Sequence, residues 1–197
     1  MRASEVKSTI ENRDDILLST ERLIIKCLNI GDITSDYISG LNDSEVNRYL
    51  DVKREKQTYD TVKSFILSNR KAENNLLFGV FKKDNKDLIG TIRILNISNF
   101  HFYADIGICL FKKEIWCKGF ALEALLKVKE FAFNDLNMHF LESGVYGGNI
   151  ASQKLFTRAG FELYLKIDNK YRFEDKFVET LRYKAINRNF DFNLLKN

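Results

Sequence analysis

The chain has 197 residues, 45% hydrophobic and 13% aromatic, enough for one folded domain with a sizeable core. Its net charge of +4 comes from scattered lysines, with no basic stretch interleaved with aromatics, which argues against nucleic-acid binding. No apolar run approaches the roughly 20 residues of a membrane span, and Met1 to Lys7 lack the apolar core of a secretory signal.

The three cysteines, Cys27, Cys109 and Cys117, have no metal-ligand spacing, so no metal site is expected. Such an odd set fits reduced thiols in a cytoplasm.

Residues 1–15 are polar and charged (Glu5, Lys7, Glu11, Arg13, Asp14, Asp15). They form an extension, either mobile or an added helix, ahead of a single domain over 16–197. Leu23 to Leu28 is a first strand. Gly31-Asp32 then starts a short helix, with Asp32 as N-cap and Ile33, Tyr37, Ile38 and Leu41 as its apolar side. Ser44 caps a further turn through Val46 and Tyr49-Leu50, and 53–56 is a solvated loop. A helix over 59–72 turns Val62, Phe65, Ile66 and Asn69 inward.

Leu76 to Phe81 and Leu88 to Leu95 make a hairpin whose polar turn carries Asn and Asp. After a second turn near Ser98-Asn99, a central strand runs over 102–111, with Ile106, Ile108 and Leu110 at period two. The chain then passes through Trp116-Cys117-Lys118-Gly119 and becomes helical at about Phe120. Ala121, Leu125, Val128 and Ala132 line one helical face, while Glu123 and Lys127 form a solvent-side i,i+4 pair. A strand over 141–146, a helix over 150–159 and an antiparallel pair over 161–167 and 177–186 complete the order. That order implies an α+β sheet with helices on both faces.

The strand, loop and helix between Ala104 and Phe133 carry a chemical use. Free N–H groups and the positive end of the dipole make a helix N-terminus an anion site. Gly119 lets a bulky anion approach the backbone, Ala121 keeps the first turn open, and Lys118 adds a mobile positive charge. The loop lacks the glycines of a Rossmann fingerprint and is not a Walker A loop. Taken alone, it is also compatible with an ordinary strand-to-helix connection.

Three ordered blocks extend the pattern. Ile115-Trp116-Cys117-Lys118-Gly119-Phe120-Ala121-Leu122-Glu123-Ala124 resembles the acetyl-CoA pyrophosphate loop of the GNAT superfamily of N-acetyltransferases. It is most similar to the branch containing the ribosomal-protein N-terminal acetyltransferases, which often has Trp where Trp116 stands. Gly147-Gly148-Asn149-Ile150-Ala151-Ser152, with Leu155-Phe156 and Ala159-Gly160-Phe161 after it, resembles the family's later N-x-x-(S/A)…GF segment. Thr20-Glu21-Arg22-Leu23-Ile24-Ile25 is similar to its usual first strand.

The resemblance covers residues 16–186. It implies a mixed, mostly antiparallel sheet of about seven strands, splayed between the fourth (102–111) and the fifth (141–146). It also implies acetyl-CoA as the acetyl donor, which the mildly positive surface suits. Cys109, Leu110 and Phe111 would hold the pantetheine arm through their backbone, as a peptide is held at a sheet edge. Trp116, Cys117, Lys118, Gly119, Phe120 and Ala121 would hold the pyrophosphate. Ser152 and Phe156 fall on family positions beside the cofactor. Asn149 matches a position that contacts the arm, and equally suits a helix N-cap.

Amide formation needs a neutral amine, and an α-amine near pKa ~8 or a lysine-type amine near ~10.4 calls for a base or a water relay. By resemblance Asp105 is the candidate base, facing the acceptor, although an edge carboxylate that only positions or solvates fits as well. His101 is the other titratable group near that end. Glu123 suits the helix dipole better than it suits a base. Many relatives place a tyrosine near the sulfur where this chain has Phe156, which has no proton to give. Ser152, Tyr146 or water would then protonate the thiolate, or it would leave unaided.

The acceptor is either a small amine, such as a nucleotide-linked amino sugar, or a protein N-terminus, and a homodimer is compatible with both. Its lining would come from helices over 33–50 and 59–72 and loops over 96–101 and 168–176. A CoA-binding module without turnover is the rival class, and Phe156 would fit it. A structural protein on the same fold would show no CoA affinity.

Overall fold

A computed structural model describes residues 3–196. Among them eight strands form one sheet in the order β1-β2-β3-β4-β5-β6-β8-β7. They are β1 (Leu17–Ser19), β2 (Leu23–Cys27), β3 (Leu76–Lys82), β4 (Leu88–Ser98), β5 (Tyr103–Leu110), β6 (Phe140–Tyr146), β7 (Glu162–Phe173) and β8 (Lys176–Ile186). Every neighbouring pair is antiparallel except β5 and β6, which are parallel. The α+β expectation of a mixed, mostly antiparallel sheet holds. The eighth strand is β1, whose three residues pair with β2 and carry too little pattern to stand out in the sequence.

The helices are α1 (Ala3–Glu11), α2 (Ser35–Asn42), α3 (Tyr59–Lys71), α4 (Phe120–Asn134) and α5 (Ile150–Arg158). β3 shows how they divide. Its Leu76, Phe78 and Val80 join a core with residues of α1, α4 and α5, while Leu77 and Phe81 join a second core with residues of α2 and α3. A strand buried on both faces reads as a continuous apolar run, as β3 does. Among the described residues no helix is long and apolar enough to cross a membrane.

Several local expectations are settled or corrected. Of the two forms expected for the N-terminal stretch the added helix is the one present, with Val6 and Ile10 in the first core. Arg13 ties its end to that of α3, donating to Asn69 O at 2.9 Å and Ala72 O at 3.0 Å. Met1 and Arg2 lie outside the described residues. Thr34 caps α2, because Asp32 is already held in a capping box with Asn29. Asp43, one residue before Ser44, accepts from Glu45 N and Val46 N. Residues 51–54 form a short 3-10 helix. Phe65 is 38% exposed. Instead of a loop, 168–173 continue β7 to a tight turn before β8.

Candidate active site

The site begins where two strands part. β5 and β6 share three register pairs, Tyr103↔Phe140, Ala104↔Leu141 and Asp105↔Glu142, and separate beyond them. The splay therefore opens at Asp105, toward the C-terminal ends of both strands. Two positions further on, β5 carries Gly107 and β6 carries Gly144. A Cβ placed on Gly107 would meet nothing within 4 Å, so the α2/α3 face is open above it, whereas a Cβ on Gly144 would lie 2.9 Å from Arg182 Nη1.

One edge of the opening offers unpaired backbone. Phe111 N donates to Ile89 O at 3.1 Å, whereas Phe102 O accepts from Phe140 N at 3.0 Å. By strand alternation Cys109 also bonds toward β4, and the backbone of Ile106 and Ile108 faces the gap. This corrects the expected trio of Cys109, Leu110 and Phe111. Leu110 O does face the gap, but it accepts from Trp116 Nε1 at 3.0 Å. The side chains of Cys109 and Phe111 instead pack in the α2/α3 core.

At the wide end of the opening α4 begins without a side-chain cap. The N–H groups of its first turn, from Phe120 to Leu122, have no intrahelical acceptor. Gly119 has φ 85, and Cys117, at φ 59, also takes a left-handed conformation that glycine adopts with less strain. Trp116 and Lys118 hold the loop through N–H bonds to Lys113 O and Ile115 O.

Arg22, absent from the sequence-derived site, brackets this loop. Its Nη1 donates to Lys118 O at 3.0 Å, and its guanidinium lies 4.1 Å from the Phe120 ring centre. Its Nη2 sits 2.6 Å from Glu123 Oε2. The expected Glu123–Lys127 pair is absent. Glu123 accepts from Thr20 and Arg22, while Lys127 pairs with Glu130. Burial alone would raise the Glu123 carboxyl, but the bonds from Thr20 and Arg22 outweigh it and hold the group below its ordinary range.

The opposite face of the splay holds a polar cluster. Asp105 Oδ1 accepts from Tyr103 Oη at 2.7 Å, and its Oδ2 accepts from Asn96 Nδ2 at 2.7 Å. Asn96 reaches it because β4 is bulged between Leu95 and Ser98, with Asn96 at φ 54. Tyr103 Oη also lies 3.3 Å from Glu142 Oε2, and Glu142, 7% exposed, forms an ion pair with Arg182. Burial, then the bond to Asp105, raises the Tyr103 phenol well above its ordinary value, so it stays a proton donor. Glu142 and Arg182 were missed in the sequence, where each is one charge in an ordinary strand.

The remaining candidates are scattered. His101 is exposed in the turn before β5, its ring against Phe100 rather than Asp105. Asn149 Oδ1 accepts from Ser152 N at 3.1 Å as the N-cap of α5, which leaves its Nδ2 for a ligand. Tyr146 lies among Tyr49, Tyr171 and Phe173, and burial raises its phenol. Burial pushes the Cys109 thiol up to about 12, against any thiolate role.

Phe156 is 3% exposed and packs against Phe161 and Tyr183. Its ring is a core element, so Phe156→Tyr is expected to change kcat by less than about tenfold, or ~1.4 kcal/mol. A much larger gain in steady-state turnover would mean that the native protein lacks a needed proton donor.

These features fit an extended, amide-rich ligand that ends in a diphosphate. The gap edge would pair with the arm, and the uncapped α4 N-terminus would take the charge.

Known proteins agree. The family model of the acetyltransferase (GNAT) domain matches residues 22–162. The N-acetyltransferase YoaA of Bacillus subtilis (strain 168) is 29% identical over 149 residues, covering 74% of this chain and 82% of YoaA. The solved spermidine N-acetyltransferase of Vibrio cholerae, in complex with CoA and spermine, superposes with TM-score 0.74 at 20% identity. That match covers 85% of this chain and 96% of that one. The ribosomal-protein-S5-alanine acetyltransferase of Vibrio fischeri gives TM-score 0.77 at 18% identity, over 90% of this chain and 100% of that one. The likeness to the solved structures shows a shared fold, and the family match spans most of the chain. The chain belongs to the GNAT family of acetyltransferases.

Proposed function

We propose that this acetyl-CoA-dependent N-acetyltransferase acts on the primary amine of a small molecule, with a nucleotide-linked amino sugar the favoured case, and that Asp105 is its base. The observation that carries the reading is the open space over Gly107, directly beyond the Asp105–Glu142 rung. When bound, acetyl-CoA supplies an activated thioester. The chain supplies the rest. The edges of Ile106 and Ile108 orient the arm, and the α4 N-terminus with Lys118 neutralises the diphosphate. Asp105, fixed by Asn96 and Tyr103, receives the amine proton directly or through a water.

A cavity of about 660 Å³ supports a small acceptor. It lies at the wide end of the opening, among Arg48, Tyr49, Tyr146, Phe173 and Lys176, and its volume suits a small-molecule site. The aromatic rings offer stacking surfaces for a base or sugar. A protein N-terminus is the second reading, supported by the activity in the name of the Vibrio fischeri neighbour.

The test is release of free CoA thiol from acetyl-CoA with nucleotide amino sugars, simple amines and N-terminal peptides. Turnover is expected with the small amines. Turnover confined to peptides would move the acceptor to proteins. CoA binding without turnover of any amine would leave a binding module.

A further inference from the structure

One arginine beside the opening at Gly107 has no anionic partner among the described residues. Arg93 lies on β4 directly opposite Gly107, in register with it, so its side chain shares the face and the open space that Gly107 leaves. Its other neighbour in register is Leu77 of β3, part of the α2/α3 core. Above it is the Phe65 ring, 5.7 Å from the guanidinium carbon. The Arg93 side chain makes no hydrogen bond or ion pair among the described residues, and its Nε is buried without an acceptor. Asp105 is bonded by Asn96 and Tyr103 and not by Arg93.

Arg93 is half-buried, and burial lowers its pKa without an anion to restore it. An apolar residue in place of Arg93 would leave no buried Nε without an acceptor. The guanidinium is a fork of donors suited to carboxylate or phosphate. Across two antiparallel strands, Arg93 and Asp105 stand on a diagonal of roughly 7–8 Å.

We infer that Arg93 selects an acceptor bearing an anionic group, carboxylate or phosphate, a few bonds from its primary amine. This rests on the proposed reading of the Asp105 face as the acceptor side. The anion sits on Arg93 while the amine sits over Gly107, between Asp105 and the end of the cofactor arm. A polycationic amine is disfavoured at the same place.

The test uses matched amines that differ only in the anion, β-alanine against propylamine and phosphoethanolamine against ethanolamine. The native enzyme is expected to favour the charged member of at least one pair by tenfold or more in kcat/KM. Which pair shows the larger ratio distinguishes carboxylate from phosphate. Arg93→Gln is expected to collapse the ratio, mainly through KM, and Arg93→Lys to restore part of it. The same ligands are compared by thermal shift on the CoA complex, which needs no turnover. Equal ratios, or equal shifts, in the native protein and Arg93→Gln would overturn the inference. Turnover of the neutral amines alone would overturn it too, yet would leave the acetyl transfer and the Asp105 assignment standing.

Discussion

Asp105→Asn is expected to lower kcat by about 10²–10⁴-fold, the usual worth of general-base help, with little change in acetyl-CoA affinity. The substitution keeps the size of the side chain: its amide oxygen can still accept from Asn96, and its new NH2 can donate to the Tyr103 hydroxyl. What it loses is the capacity to take a proton. Activity should recover partly as pH rises, because the free-amine fraction grows toward an amine pKa of roughly 8–10. A structural Asp105 would lower activity equally at every pH, so the pH profile decides between the two roles. Near-normal kcat at neutral pH would move the base to Glu142, which Tyr103 links to Asp105, or to solvent. Glu142→Gln tests a different property. It leaves Arg182 without its ion-pair partner in a largely buried setting, so its expected cost is stability.

The second large effect concerns the cofactor loop. Acetyl-CoA or CoA at about 100 times its Kd should stabilise the native protein by roughly 2.7 kcal/mol, a shift of several degrees in Tm. Gly119→Glu is expected to abolish that shift. It places a negative charge at the uncapped start of α4, and a Cβ there comes within 3.3 Å of Arg22 Nη2. The left-handed backbone at φ 85 adds a strain of about 1–3 kcal/mol, which the apo fold can bear. Gly119→Ala carries the strain without the charge and should weaken binding less. An unchanged CoA shift in Gly119→Glu would take the loop out of the cofactor site.

Much of this protein was legible one segment at a time. Period-two and helical patterns placed most elements, because burying one face imposes a local repeat on the chain. The run from Trp116 to Ala121 was recognisable because a loop that opens a helix depends on near neighbours. Weak local signals failed: β1 is only three residues long, and Val6 and Ile10 are two apolar positions in a charged stretch.

What tertiary structure alone decided are the relations between segments. Arg22 reaches Glu123 across 101 residues, and Tyr103 reaches Glu142 across 39. Gly107 and Gly144 look like unremarkable strand glycines until the register places both just beyond the last rung of β5 and β6. Asn96 meets Asp105 only because a bulge turns it there, and Arg93 is an ordinary strand arginine until its neighbours are seen to leave it unpaired. The physical reason is common to all five. Strand register and the parting of two strands arise from pairing and packing between distant segments, and no local repeat in the chain encodes them.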